Sequence, residues 1–484
     1  MGGGSERAPD PAGGAPVSVP LSSPQGRGIL LASVVGSGMA FLDSTVVNVA
    51  LPAIGRSLQA DLAGLQWTLD AYLLTLCAFL LVGGSLGDRL GRKPMFELGV
   101  LGFAVASLLC ALSPGILALS LARGLQGLAA ALLVPLSLAL VRAGIQPGDQ
   151  GAALGLWTGL SGVTSAAGPL VGGWLVEVVG WQAIFFLNLP LAAVALWSAR
   201  RFLPDTTRAT ESKPLDFAGA VTGALAVGGT TFALIEGPAH GWDPVALLAA
   251  VVGGVSLAIF LRVERRPEAM MPLSLFRSPV FAAANGVTLL LYAALGCALF
   301  LLMLELQLGM GFPPVSAGLS LVPATVLMLV LSPLSGRWGQ AHGARWPMAL
   351  GSVVAGAGFV AFLLLRPGAG WPAVLPGAVL LGLGLSLAVA PLTTAVLDAV
   401  AAEQAGIASG VNNAVARLAG LLGVAAVPWA AGLAMLGRQA DPERLTAGFH
   451  RATLLCAGLC LLAAIASAAW VPGRPTGAPV GESA

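Results

Sequence analysis

Long apolar runs are the feature of this sequence that most restricts its fold. When the 484-residue chain is divided at charged residues and at Gly/Pro turns, fourteen runs remain, each near the roughly 20 residues that a helix needs to cross a membrane. Because 57% of the residues are hydrophobic and 10% are charged, a single soluble core could not enclose these side chains. The sequence therefore predicts an all-α polytopic membrane protein. The predicted spans are residues 29–54, 66–86, 94–113, 116–141, 152–177, 181–199, 215–236, 243–262, 279–304, 316–336, 346–366, 371–397, 404–436 and 448–471.

Charge and reactive side chains exclude several other classes of protein. The net charge is +2 and no long basic run is present, so nucleic acid is not an expected partner. The five cysteines lie in apolar runs and the three histidines do not cluster, so we predict neither a metal site nor a cofactor. The sequence has no G-x-x-x-x-G-K-[ST] motif, no paired carboxylates and no nucleophile with a base, so an enzyme is not expected.

An internal repeat divides the predicted spans into two sets. GSLGDRLGRKPMFELG at 84–99 and GRWGQAHGARWPMALG at 336–351 align at a constant offset of 252 residues. The offset equals eight helices, so two six-helix bundles of like orientation are expected around a central pair. The predicted units are a disordered tail at 1–28, bundles at 29–200 and 279–471, a linker with two extra helices at 201–278, and a second tail at 472–484.

The distribution of Lys and Arg predicts the orientation of the spans. An even number of spans places both chain ends on one side of the membrane. Of the 24 Lys and Arg residues, seventeen lie in segments on that side, five lie on the other side and two lie within spans. Because cytoplasmic loops carry the excess of these residues, we predict a multi-pass protein of the cell membrane with both termini in the cytoplasm.

Two motifs in the first half are specific. LDSTVVNVALP at 42–52 places Asp43 and Asn48 in the first span, and GSLGDRLGRKP at 84–94 fills the loop after the second span. On these motifs the chain, over about residues 29–471, resembles the major facilitator superfamily, in particular its fourteen-helix drug:proton antiporter branch. The resemblance implies the major facilitator fold, with two six-helix bundles plus two central extra helices.

The resemblance also implies that the loop after the second helix acts as a conformational latch. Its glycines allow tight turns, Asp88 is expected to cap or face a helix N-terminus, and the basic residues are expected to anchor at the inner leaflet. Plain topogenic charge is the alternative. The second copy has Gln340 in place of Asp88, so a latch there is expected to be weaker. The predicted gating loop contains Gly84, Gly87, Asp88, Arg89, Gly91, Arg92 and Lys93.

Three later spans add further matches to the same branch. In the fourth span, Arg123 and Gln126 resemble a motif associated with proton transfer, and a structural or snorkelling arginine is the alternative. In the fifth, GPLVGG at 168–173 resembles a motif of exporters; glycines four apart are expected to let two helix backbones touch, and the proline to bend the helix. The sixth begins with WQAIFFLNLP, which retains the Asn188 of a further signature. The predicted antiporter motif contains Gly155, Gly159, Gly168, Pro169, Gly172 and Gly173.

Three acids fall within or at the edges of spans, namely Asp43, Asp70 and Glu305. Low-dielectric surroundings favour the neutral form of a carboxyl group, which lets a proton and a cationic substrate compete for it. We predict that these acids and Arg123 couple the movements of proton and substrate; a paired or headgroup-level carboxylate is the structural alternative. The predicted polar residues of the cavity are Asn48, Gln126, Asn412, Asn413 and Arg417, the last three of which could instead hydrogen-bond across a helix contact.

The sequence as a whole predicts a secondary active transporter. We expect it to export drugs or other amphipathic, including cationic, small molecules in exchange for protons by alternating access. A dedicated metabolite exporter or an importer of the same fold is the alternative, and the short loops disfavour a sensor or scaffold. The expected partners are a small-molecule substrate, protons and the lipid bilayer, and we expect the protein to function as a monomer.

Overall fold

The computed structural model describes residues 18–204, 216–266, 271–401, 404–434 and 441–473. These residues form fourteen helices of membrane-spanning length, which confirms the all-α polytopic architecture. We number them α1 (Pro24–Leu58), α2 (Leu62–Leu90), α3 (Arg92–Ala111), α4 (Ile116–Gly144), α5 (Pro147–Val178), α6 (Ala183–Phe202), α7 (Phe217–His240), α8 (Pro244–Val263), α9 (Pro279–Gly309), α10 (Pro314–His342), α11 (Arg345–Leu364), α12 (Trp371–Asp398), α13 (Ala405–Ala430) and α14 (Pro442–Trp470). A short 3₁₀ turn, Leu273–Arg277, precedes α9.

The fifth helix differs from the others in composition. Thirteen of the fourteen helices combine the length and the apolarity of a span, whereas α5 is interrupted by Gly, Ser and Thr. Its 32 residues, at about 1.5 Å each, are nevertheless long enough to cross a bilayer.

The first helix begins earlier than the sequence predicts. It starts at Pro24, where the Ser23 hydroxyl accepts a hydrogen bond from the Gly26 amide at 3.0 Å. The preceding segment pairs with the connection between α4 and α5, because the Val19 amide donates to the Gly144 carbonyl at 2.9 Å. Residues 18–28 are therefore ordered structure, in contrast to the predicted tail. The rest of that tail, the Lys and Arg at 208 and 213, and most of the second tail lie outside the described residues.

The two copies of the repeated loop have closely similar geometry. Gly91 and Gly343 begin the turn into the third helix of each half with φ values of 101° and 89°, a region that favours glycine. Two residues further on, Lys93 Nζ donates to the Leu203 carbonyl at 3.0 Å, and Arg345 Nε donates to the Val471 carbonyl at 2.7 Å. In each half, a basic side chain at the start of the third helix thus binds the backbone just beyond the sixth.

The halves α1–α6 and α9–α14 meet at one end of the bundle. We call the end that carries Pro24 and the loop at 84–99 the basic end, and the other the opposite end. At the opposite end, Gln66 Nε2 of α2 donates to the Val424 carbonyl of α13 at 2.6 Å. Gln307 Nε2 of α9 donates to the Val49 carbonyl of α1 at 2.9 Å. A Cβ at Gly173 in α5 would lie 2.6 Å from the Pro314 carbonyl oxygen of α10.

The extra hairpin α7–α8 packs against both halves. Trp67 Nε1 of α2 donates to Glu236 Oε1 of α7 at 2.6 Å, and Trp242 in the α7–α8 turn stacks edge-on against Trp429 of α13 at 6.1 Å. These contacts place α7 across the seam between α2 and α13.

Two neighbouring carboxyl groups, Glu264 and Asp216, lie at the basic end of the same hairpin. Glu264, directly after α8, is 1% exposed and accepts a hydrogen bond from the Met271 amide at 2.7 Å. A Cβ at Gly219 would lie 2.5 Å from both Glu264 Oε1 and Asp216 Oδ2, so the two carboxyl groups are close neighbours. Burial, together with the Asp216 charge, raises the pKa of Glu264 to about 7. Glu264 is therefore partly protonated near neutral pH.

Candidate functional site

A buried ion pair links α1 and α4 in the first half. Asp43 and Arg123 are both 0% exposed, and the guanidinium Nη1 of Arg123 donates to Asp43 Oδ2. The same Nη1 donates to Gln126 Oε1 at 2.6 Å, and Gln126 Nε2 donates to Asp43 Oδ1 at 2.8 Å. The three motif residues predicted separately from α1 and α4 thus form one closed network.

Two further residues complete this network. Asn188 at the start of α6 donates through Nδ2 to Asp43 Oδ1 at 3.1 Å and to the Ser107 hydroxyl of α3 at 3.2 Å. Gln126 Nε2 also donates to Ser107 Oγ, at 2.9 Å. The sequence analysis gave neither residue a role. The signature WQAIFFLNLP pointed to Asn188, whereas Ser107 lies in an apolar helix and carries no sequence signal.

Arg123 is held on its remaining sides by backbone and aromatic groups. Its Nε donates to the Thr68 carbonyl of α2 at 2.9 Å, and its guanidinium lies 4.4 Å from the Tyr72 ring centroid and 5.9 Å from that of Phe185. An arginine at mid-membrane costs about 2.5 to 3.5 kcal/mol on insertion scales, and such pairing offsets that cost. The side chain therefore does not snorkel to an interface.

Asp70 lies on α2 and is completely buried. Neither of its carboxyl oxygens has a hydrogen-bond partner among the described residues. Its neighbours along the same stripe of α2 contact α13, because Gln66 binds the Val424 carbonyl and Cys77 Sγ lies 3.5 Å from the Ala414 carbonyl. A buried carboxyl group without a partner is unusual, since a structural role is expected to satisfy it.

Glu305 lies near the opposite end of α9, where the helix widens into a π turn over Glu305–Gly309. The residue is completely buried, and its Oε1 accepts a hydrogen bond from the Thr446 hydroxyl of α14 at 2.6 Å. Its Oε2 has no partner among the described residues. Gly309 leaves the space that the carboxyl group fills, because a Cβ there would lie 2.6 Å from Oε2. Such π turns often occur at functional positions.

The five polar residues predicted to line a cavity have different surroundings. Gln126 has no exposed surface and belongs to the Asp43 network, so its assignment to the cavity wall was wrong. Asn412 donates across a helix contact to Asn285 at 3.2 Å and to Thr288 of α9 at 2.7 Å. Asn48, Asn413 and Arg417 are at least partly exposed. The Nδ2 groups of Asn48 and Asn413 bind carbonyls of their own helices.

The predicted gating loop contains an ion pair instead of a helix cap. Asp88 lies in the last turn of α2, and its Oδ1 accepts from Arg92 Nη2 at 3.0 Å. Arg92 Nη1 also donates to the Ala139 carbonyl of α4 at 3.4 Å. The N-terminus of α3 has no side-chain cap, so of the two predicted roles of Asp88 the cap was wrong, whereas its ion pair with Arg92, the first residue of α3, places it beside that N-terminus. Close packing explains Gly87, where a Cβ would lie 2.0 Å from Leu136 Cδ2.

The glycines of α5 fall into two groups. A Cβ at Gly168 would lie 2.0 Å from Thr45 Oγ1 of α1, and one at Gly172 would lie 2.4 Å from Val46 Cγ2. These two glycines let α1 and α5 touch as predicted. Gly155 and Gly159 have no neighbour within 4 Å, so the predicted backbone contact there was wrong. At these two positions the first part of α5 faces open space.

Among the described residues, no group of three or more His, Cys, Asp or Glu side chains is arranged to hold a metal ion. The five cysteines are free, and all except Cys77 are buried. The candidate site in the described part of the chain therefore consists of the buried carboxyl, guanidinium and amide groups of the Asp43 network, together with the carboxyl groups of Asp70 and Glu305.

A polytopic helical bundle with an ion pair buried inside it, and with two buried acids that form no ion pair among the described residues, has the architecture of a secondary membrane transporter. The chain belongs to the Major Facilitator Superfamily, whose family model matches residues 34–424. It is therefore a transporter of small molecules and not an enzyme.

Similar proteins agree with this assignment. The chain is 37% identical to the tetracenomycin C resistance and export protein of Streptomyces glaucescens, over 87% of this chain and 78% of that protein. It is 35% identical to the multidrug resistance protein Stp of Mycobacterium tuberculosis, over 82% of this chain and 74% of that protein. The crystal structure of a bacterial homologue of the lysosomal transporter Spinster, inward-facing and unoccupied, matches with a TM-score of 0.67 at 16% identity. That match covers 94% of this chain and 99% of the other and concerns the fold alone.

Proposed function

We propose that this protein exports amphipathic, including cationic, small molecules in exchange for protons by alternating access. The observation that carries the proposal is the set of completely buried ionisable groups: the Asp43–Arg123 pair, together with Asp70 and Glu305. Buried ionisable residues in a membrane protein are costly and commonly mark proton pathways. The names of the two relatives as resistance proteins support export as the direction.

The proposed orientation follows from the distribution of basic residues. With the basic end in the cytoplasm, substrate would enter from inside the cell along the open first part of α5, while the contacts at the opposite end would close the outer exit. Proton binding from outside and substrate binding from inside then alternate between two states of one monomer. The pH gradient drives the exchange for every substrate, and where the exchange carries net positive charge inward the membrane potential adds about 2.3 kcal/mol per 100 mV for each charge.

The first test is pH-driven exchange in proteoliposomes with the Asp43→Asn variant. We expect this variant to insert and fold but to lose proton-coupled efflux, because Asn cannot carry the proton. Glu443→Gln, which removes an exposed acid at the start of α14, is the matched control and is expected to retain transport. Undiminished pH-driven exchange by Asp43→Asn would remove Asp43 from the coupling mechanism.

A further inference from the structure

Arg417 is a charged residue that the buried network does not use. It lies in the middle of α13 and is partly exposed. Among the described residues it forms no hydrogen bond and no ion pair, in contrast to Arg123. Ala414, three residues before it in α13, has its carbonyl 3.5 Å from Cys77 Sγ of α2, so Arg417 lies on the side of α13 near the other half.

An aromatic pair connects this arginine to the other half. The Arg417 guanidinium lies 5.7 Å from the ring centroid of Phe41 in α1, and the Phe41 ring packs edge-on against Trp157 of α5 at 6.4 Å. The Trp157 Nε1 group is buried and has no acceptor among the described residues. The arrangement therefore combines an aromatic surface with two donors that have no acceptor in the described part of the chain, and its residues come from α1, α5 and α13.

We propose that Phe41, Trp157 and Arg417 form a subsite for planar aromatic acids, which makes such anions a preferred substrate class of this transporter. This inference rests on the proposed export function and narrows its substrate. A flat ring can stack on Phe41, while its carboxylate or phenolate accepts from the guanidinium, which binds such groups with planar geometry. The one carboxylate of the buried ion pair, Asp43, has no exposed surface from which to attract a cation.

The charge of the substrate has an electrical consequence. If one proton enters as one anion leaves, both movements carry positive charge inward, so an inside-negative potential accelerates the exchange. The same exchange with a cation transfers no net charge. The dependence of transport on membrane potential therefore distinguishes the two kinds of substrate.

The test uses three fluorescent probes with one ring system and different charges: anthracene-2-carboxylate, anthracen-2-ylmethylammonium and anthracen-2-ylmethanol. Probe anisotropy with the purified protein in detergent measures binding without requiring transport. We expect the dissociation constant of the carboxylate to be at least about 10-fold lower than that of the ammonium. This ratio corresponds to the low end of the free energy that a hydrogen bond to a charged group contributes. Arg417→Gln is expected to abolish this preference by weakening only the carboxylate. Arg451→Gln, at an exposed arginine of α14, is the matched control.

Transport of the same probes in proteoliposomes separates the two proposals. We expect a valinomycin-imposed potential to accelerate pH-driven movement of the carboxylate but not of the ammonium. Equal or tighter binding of the ammonium, or an equal loss of all three probes in Arg417→Gln, would overturn the subsite. If the carboxylate binds through Arg417 but a pH gradient moves no probe, the subsite stands and proton-coupled export is rejected.

Discussion

Removing one partner of the buried Asp43–Arg123 pair should destabilise the protein more than removing both. In Asp43→Asn, the Arg123 guanidinium keeps Gln126 and the Thr68 carbonyl but loses the one carboxylate that pairs with it among the described residues, in a site with 0% exposure. An uncompensated buried charge costs about 3 to 5 kcal/mol. With an unfolding entropy near 2.1 cal/mol/K per residue, this corresponds to a fall in Tm of about 3 to 5 °C for a chain of 484 residues.

The free cysteines provide the assay for this prediction. All but Cys77 are buried, so a thiol-reactive fluorophore reports their exposure as the detergent-solubilised protein is heated. We expect Asp43→Asn to melt about 3 to 5 °C below the wild type and Asp43→Asn/Arg123→Met to recover at least half of the loss, because the double variant buries no charge at this site. A single variant that melts like the wild type, or a double variant no more stable than the single, would refute the assignment of a charged pair.

Two further predictions concern packing and pH. Gly168→Val is expected to abolish transport, because its Cβ would lie 2.0 Å from Thr45 Oγ1. Gly159→Val is the control and should transport like the wild type, because that position has no neighbour within 4 Å. A greater loss of transport in Gly159→Val than in Gly168→Val would contradict the packing. Glu264 has a pKa raised from its ordinary 4.5 to about 7, so its contribution to stability is complete below 4.5 and is lost as the pH rises through 7. We therefore expect Glu264→Gln to flatten the decrease in Tm between pH 5 and pH 8, and an unchanged profile would contradict the buried carboxyl pair.

The sequence predicted the helices well because apolar run length directly reflects membrane thickness. It also identified Asp43, Arg123 and Gln126, which form part of short motifs. Their mutual contact could not be predicted, since Asp43 and Arg123 are separated by 80 positions and meet only through helix packing. Ser107 was missed for the same reason, because a lone serine in an apolar helix has no pattern until its neighbours are known.

The glycines of α5 show the limit of pattern reasoning in another way. Gly155 and Gly168 look equivalent in sequence, since each begins a pair of glycines four residues apart. Their spacing places each pair on one helical face, but only the distance to the neighbouring helix decides whether that face is packed. No neighbouring helix comes within 4 Å of a Cβ built at Gly155 or Gly159, so the first pair is not packed.

The contacts of Lys93 with Leu203 and of Arg345 with Val471 have a mechanical consequence. Each hydrogen bond joins the beginning of the third helix to the residue just after the sixth helix, so the first and last parts of each half are linked directly. A body closed in this way resists internal shear and tends to turn as one piece. For the proposed alternating access, we therefore expect the two halves to rock as nearly rigid bodies, with the deformation confined to the contacts between them and to the α7–α8 hairpin.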